Sequence, residues 1–297
     1  MASSIPASVP VDAVAVDAPA VRGGAGARRT RRLVIAGGCF VLALVLMALA
    51  APWLAPHDPL RTDFPQSLRP PGTAGHLLGT DQLGRDLLAR VLHGARLALF
   101  IGVCTVVLTA IFGGLLGLVA GFVERWPSAV LMRIADVQLS FPFILLAMTI
   151  NTIVGLGLRN TILSLSAAGW VVYARVVRGE VLSVKQRDYV LAAAALGVSR
   201  ARLLFRHVLP NVAPSIIVLA SLQFSSFIVA EAAISFLGFG IQPPTPAWGS
   251  MLSESRDFLY VAWWLAAFPG AALALTALGV NLLGDWLRDT LDPKLRV

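Results

Sequence analysis

The sequence predicts an all-α, polytopic membrane protein with six transmembrane helices, and three observations carry that reading. Of the 297 residues, 57% are hydrophobic and only 13% are charged, a balance that soluble domains of this size do not adopt. The apolar residues gather in runs long enough to cross a hydrocarbon core about 30 Å thick. The 24 Lys and Arg residues concentrate on alternate connections between those runs, as cytoplasmic loops do. That bias accounts for the formal net charge of +8, so no nucleic-acid partner is called for.

Residues 1–32 form a cytoplasmic tail, rich in Ala, Val, Pro and Ser and without usable periodicity, that is expected to be disordered. Arg28, Arg29, Arg31 and Arg32 then precede an uncharged run over 33–54. Its length suits a membrane span and no small-residue cleavage site follows, so it reads as a first transmembrane helix entering from the cytoplasm. Residues 55–96 make an external loop in which Pro56, Pro59, Pro65, Pro70 and Pro71 exclude a long helix. At its end, GTDQLGRDLLARVLHGAR (79–96) offers Asp81 as an N-cap and Leu83, Leu87, Leu88 and Val91 at helical spacing. This predicts an amphipathic helix on the membrane surface. Asp81, Arg85 and Asp86 read as a structural ion-pair network ahead of a metal or catalytic site.

Five further spans complete a core over 97–284, at 97–123, 137–158, 161–181, 212–237 and 258–284. Arg175 and Arg178, near an inner helix end, are expected to snorkel toward water. Six crossings return the C-terminal tail, residues 285–297, to the cytoplasm, which leaves seventeen cationic side chains inside and seven outside. Glu231 is the one acid well inside an apolar segment and reads as a buried, hydrogen-bonded carboxyl, since no second membrane acid completes a proton relay. Gly113, Gly114 and Gly117 permit close helix approach, and Pro142 and Pro269 permit kinks. Trp248, Trp263 and Trp264 read as interfacial anchors, and GIQPPTPAWG (240–249) as an external loop. Cys39 and Cys104 lie in apolar runs and His57, His76, His93 and His207 are scattered. No metal site, cofactor or catalytic set is therefore expected.

The least membrane-like stretch is 189–214. An Ala-rich helix over 189–196 meets Gly197, suited to a left-handed cap, and Ser199, suited to N-cap a second helix. That helix carries Arg200, Arg202, Arg206 and His207 before Pro210 and Pro214. By itself the stretch reads equally as a basic anchor on anionic headgroups and as a hinged surface for a partner.

DYVLAAAALGVSRARLLFRHVLPNVAP (188–214) resembles the EAA-loop signature of permease subunits in ATP-binding-cassette importers. Four more segments narrow the resemblance: LLGTDQLGRDLLARVLHGAR (77–96), VLMRIADVQLSFP (130–142), AEAAISFLGFGIQPPTPAWGSML (230–252) and NLLGDWLRDTLDP (281–293). Together they look like the second permease of the dipeptide, oligopeptide and nickel uptake class.

The resemblance implies the type I importer permease fold in the bacterial plasma (inner) membrane. It also implies a homologous permease partner, cytoplasmic ATP-binding subunits that carry out the hydrolysis, and an external substrate-binding protein. The coupling loop would span 183–210, with Leu191, Ala192, Ala193, Ala195, Leu196, Gly197, Arg206 and Pro210 as the ATPase-coupling residues. Leu191 stands where the family usually carries Glu, and Ala194 where it carries a basic residue. The missing i,i+3 pair is worth only about 0.2–0.5 kcal/mol, so the helix is expected to survive. Peptide is the expected substrate, with nickel or another small solute as the alternative, because the spans lack His and Cys clusters. Residues of the translocation path are not legible. A polytopic scaffold or lipid-handling protein is the second class of function.

Overall fold

The computed structural model describes Gly38, residues 41–123 and residues 126–291. The expected N-terminal tail, the start of the first span, Arg125 and residues 292–297 lie outside the described residues. The described chain is helical, without strands beyond isolated bridges. Its elements are α1 (Val41–Leu54), α2 (Leu87–Phe122), α3 (Trp126–Leu139), α4 (Phe143–Val154), α5 (Leu158–Lys185) and α6 (Asp188–Ala195). Next, α7 (Arg200–Leu203) runs through a π-helical turn (Leu204–Val208) into α8 (Leu209–Phe236), followed by α9 (Trp248–Glu254) and α10 (Trp264–Leu291).

Three helical units are long and apolar enough to cross a membrane: α2, the continuous stretch Arg200–Phe236, and Trp264–Arg288 of α10. Only 33%, 22% and 28% of their most apolar windows is buried. So much outward-facing apolar surface is stable only where the surroundings are themselves apolar. The α3–α4 pair counts as a fourth crossing if it is taken as one span bent by 94°. The expected span over 137–158 is therefore not one helix. Pro142 has no N–H to donate and stands at the N-cap of α4 with extended backbone (ψ 129°), so the helix stops and restarts. Length and composition thus match three or four of the six expected crossings among the described residues.

The segment 79–96 also departs from expectation. Gly84 takes φ +74°, and a Cβ there would stand 1.8 Å from the Asp63 carbonyl oxygen. This close approach holds residues 79–86 in turns, so no separate surface helix forms. The N-cap is Asp86, whose carboxylate accepts the Ala89 N–H at 2.8 Å, whereas Asp81 Oδ1 accepts the N–H groups of Leu83 and Arg85. Val91 and the residues around it are the first turns of α2. Two of the three tryptophans are not interfacial. Trp248 and Trp264 are buried and donate their indole N–H to Val91 O and Thr80 O at 3.1 and 3.2 Å; only Trp263 is exposed.

The central packing is α2 against α5. Gly113, Gly117 and Gly121 recur every four residues along α2 and so line one face. A Cβ at these positions would come within 2.3 Å of Trp170 O, 2.6 Å of Ala174 O and 2.6 Å of Val181 Cβ, all on α5. Gly114 does not belong to this seam, since its nearest neighbour would be Ile216 Cδ1 at 3.8 Å. Pro214 and Pro269 lie inside α8 and α10. Gly117→Ala is expected to destabilise the detergent-solubilised protein by about 1–3 kcal/mol through overpacking against backbone, while Gly114→Ala stays within about 0.5 kcal/mol. Thermal unfolding of the two variants side by side checks this; equal losses would remove the seam.

Candidate functional site

The hinge at the end of α6 is a Schellman turn. Gly197 N–H donates to Ala194 O at 3.0 Å and Val198 N–H to Ala193 O at 3.2 Å, with Gly197 at φ +80°, as this motif requires. Its underside is anchored. Val190, Leu203, Val208 and Val212 are buried against Leu118 of α2 and Val177, Val181 and Val184 of α5, with Ala193 and Val198 packed onto the same cluster. Lys185 Nζ reaches Gly121 O and Phe122 O, both at 3.4 Å, and so joins the end of α5 to the end of α2.

The other side of the hinge is open. Leu191, Ala192, Ala195, Leu196, Gly197, Arg206 and Pro210 are exposed, Leu196 by 85%. Ala193 alone among the expected coupling residues turns inward and is half-buried. Tyr189 and Phe205 add exposed aromatic surface, and Arg200, Arg202 and Arg206 are exposed on the stretch that follows Gly197. Ser199 occupies the N-cap position of α7 but makes no side-chain cap bond. The result is a firmly backed, exposed stretch carrying both apolar and basic side chains, suited to docking a partner rather than to bond chemistry.

A cleft of about 510 Å³ opens where the α3–α4 break faces α5, α8 and α10. Gln138, Gln223, Ser225, Ser226 and Asn281 give it amide and hydroxyl groups, and no charged side chain lines it. Gln138 is fixed by donating to Ala168 O at 2.8 Å and accepting the Trp170 indole N–H at 2.8 Å. Ser225 Oγ donates to Asn281 Oδ1 at 2.6 Å, tying α8 to α10. Glu231 lies beside this region, buried, and accepts a bond from Ser235 Oγ at 2.7 Å; Ser235 in turn accepts the Ile241 N–H. Arg175 pairs with Asp136, and Arg178 Nε donates to Ser128 Oγ at 3.3 Å, so both arginines are engaged by α3.

On the loop side of α2 the expected ion-pair network is present, with a member the sequence did not disclose. Asp81 Oδ2 accepts Arg85 Nε at 2.6 Å and Arg90 Nη1 at 3.0 Å. Glu254, from α9, accepts Arg85 Nη2 at 3.0 Å, Arg90 Nη2 at 3.3 Å and Gln82 Nε2 at 3.1 Å. Two acids face two guanidinium groups, so the buried charge sums to zero. Asp86 is not part of this set; it faces His76 and His57. No local pattern announces Glu254, which is more than 160 residues from its partners.

Long apolar helices around a mostly apolar cleft that carries a few amide and hydroxyl groups, with an anchored and exposed hinge outside them, fit a membrane transport permease. The comparisons agree with that class. Residues 113–297 match the family model of the binding-protein-dependent transport system inner membrane component, and residues 29–71 match that of the N-terminal TM domain of oligopeptide transport permease C. A di/tripeptide transport system permease protein of Pseudomonas aeruginosa is 47% identical over 267 residues, covering 88% of each chain. A dipeptide transport system permease protein of Alkalihalophilus pseudofirmus is 41% identical over 268 residues, covering 90% of this chain and 88% of that one. A glutathione transport system permease protein of Pectobacterium atrosepticum is 41% identical with the same coverage. The chain belongs to the family of inner membrane components of binding-protein-dependent transport systems.

The ion-pair network yields a graded expectation. The Asp81 side chain is 4% exposed and holds both arginines, whereas that of Glu254 is 20% exposed. Asp81→Ala should cost about 3–5 kcal/mol, because it strands buried guanidinium charge. Glu254→Ala should cost less, since water reaches the opened side. Melting temperatures in detergent read the order, and a reversed order would mean that Glu254 is the principal counter-charge.

Proposed function

We propose that the chain is the second permease of an ATP-binding-cassette importer for short peptides. It pairs with a homologous permease, receives substrate from an external binding protein and is driven by cytoplasmic ATP-binding subunits that carry out the hydrolysis. The observation that carries this reading is the hinge patch, exposed on its apolar face and anchored below to α5 and α2. Small alanines let a helix seat deeply in a groove, and the anchored underside converts a push on α6 into movement of the helices behind it. The relatives' names point to peptides, and the few uncharged amide and hydroxyl groups in the otherwise apolar cleft suit a solute carrying both apolar side chains and backbone-like donors and acceptors. The cleft is this chain's share of the translocation path. We take the chain to cross the membrane six times, with both termini and the hinge in the cytoplasm and the loop before α2 outside.

Ala195→Arg and Leu196→Asp change exposed positions and should leave membrane abundance and melting temperature unchanged. Both should abolish copurification of the ATP-binding subunits and lower uptake at least tenfold, by placing a charge in the docked interface. A Cβ at Gly197 would meet no atom within 4 Å, so the main effect of Gly197→Val is the strained backbone, about 1–2 kcal/mol. It should weaken coupling without blocking insertion. Ala193→Arg is the wrong probe, since that side chain faces the cluster below and would disrupt the hinge itself. Asn281→Leu, in the cleft, should keep ATPase attachment but reduce uptake. Normal uptake and ATPase attachment in both Ala195→Arg and Leu196→Asp would exclude the patch as the coupling surface.

Topology is tested separately. Reporter fusions after Arg206 should read cytoplasmic, and fusions at Gln66 and Thr245 external. An external signal at Arg206 would overturn the orientation and the docking assignment together.

A further inference from the structure

The loop between α1 and α2 brings together three side chains that the sequence leaves far apart. His57, just beyond α1, His76, in a turn of the loop, and Asp86, the N-cap of α2, each present one ligating atom, and these atoms lie within 4.8 Å of one another. The Asp86 carboxylate is divided between two tasks. Oδ2 accepts the Ala89 N–H and caps the helix; Oδ1 faces both imidazoles, with His76 Nδ1 at 2.8 Å and His57 Nδ1 at 3.9 Å. The two rings lie 4.9 Å apart between centroids, tilted by 33°.

Hydrogen bonding explains only part of this arrangement. His76 is satisfied by Asp86, but His57 Nδ1 is buried and has no hydrogen-bond partner. A buried polar nitrogen in that condition calls for a ligand. Nor is Asp86 neutralised by the nearby guanidinium groups, because Arg85 and Arg90 are taken up by Asp81 and Glu254. Its ion pairs among the described residues are with the two histidines alone.

We propose that His57, His76 and Asp86 form a divalent transition-metal site of the zinc type. Two imidazole nitrogens and one carboxylate oxygen supply three positions, and water completes the tetrahedron. Metal–ligand bonds are about 2.0–2.2 Å, so the side chains close on the ion from their observed spacing. The metal replaces the His76–Asp86 hydrogen bond: His76 ligates through Nδ1 and carries its proton on Nε2. Two imidazoles with a single carboxylate suit zinc or a neighbouring transition ion better than calcium or magnesium, which prefer all-oxygen shells. The site clips the end of α1 and the loop to the first turn of α2. It stands apart from the cleft and the hinge, and so does not depend on their assignment.

The test uses the full chain, purified in detergent with a tag free of histidine, stripped with a chelator and titrated with Zn²⁺ and with Co²⁺. The wild type should retain one Zn²⁺ per chain, show the visible bands of tetrahedral Co²⁺ and melt at a higher temperature with metal bound. His57→Ala removes no hydrogen bond of the metal-free protein, so it should fold normally. It should bind Zn²⁺ at least tenfold more weakly, lose the Co²⁺ bands and show no metal-dependent rise in melting. Asp86→Asn keeps an N-capping side chain and should also lose tight binding, whereas His93→Ala, away from the cluster, should bind as the wild type does. Failure of the wild type to retain Zn²⁺, or equal affinity in wild type and His57→Ala, would overturn the site.

Discussion

Helices in a bilayer are not driven together by burial of oil-like side chains, because the lipid is as apolar as leucine. What brings them into register is close backbone contact, and in this chain that contact is the glycine seam between α2 and α5. At Gly113, Gly117 and Gly121 the helices approach until no Cβ fits, which gains dispersion contacts along the whole seam. The arrangement elsewhere depends on it. α5 bears Gly169 and Ala168 at the cleft, Trp170 in the clamp on Gln138, and Val177, Val181 and Val184 beneath the hinge. Displacing α5 would move the cleft wall and the hinge together.

A second junction closes the loop side of the molecule by different physics. Asp81, Arg85, Arg90 and Glu254 join the start of α2 to α9, which itself packs on α8: a Cβ at Gly249 would stand 2.2 Å from Ala232 O. Burying such charges costs desolvation, so the network adds little to net stability compared with an apolar contact of the same volume. Its contribution is to specify one arrangement, since any other leaves a guanidinium or a carboxylate unpaired. Trp248 and Trp264 reinforce the same junction, with their indole N–H groups spent on Val91 O and Thr80 O.

The hinge combines these properties at the other end of α5. Its fold is secured from below by apolar burial and by the Gly197 turn, so the helix carrying Leu191 and Ala194 needs no surface ion pair. A surface pair of that kind contributes a few tenths of a kcal/mol at most, about 0.2–0.5, far less than burying Val190, Leu203 and Val208. Leu191, half exposed beside Ala192 and Ala195, adds apolar surface to the outward side of the hinge.

The amino-acid sequence by itself determined the features that arise from neighbours along the chain. Apolar run lengths marked the crossings, Ala-rich composition followed by Gly197 marked the hinge, and Asp81 beside Arg85 marked an ion-pair network. These are local propensities and periodicities; the hinge turn and the Asp81–Arg85 pair are present in the fold, and three or four of the six expected crossings are matched among the described residues. Only the tertiary structure decided what depends on segments distant in sequence. The approach of Gly84 to Asp63 moved the start of α2 to Asp86; the seat beside Gly94 drew Trp248 inward, where a Cβ on Gly94 would lie 2.7 Å from its ring. Packing likewise turned Ala193 toward Val177 and Val181, supplied Glu254 to Arg85 and Arg90, and set His57 against His76. No periodicity encodes such meetings, because each follows from how whole helices are offset against one another, and a single residue of offset changes the partner.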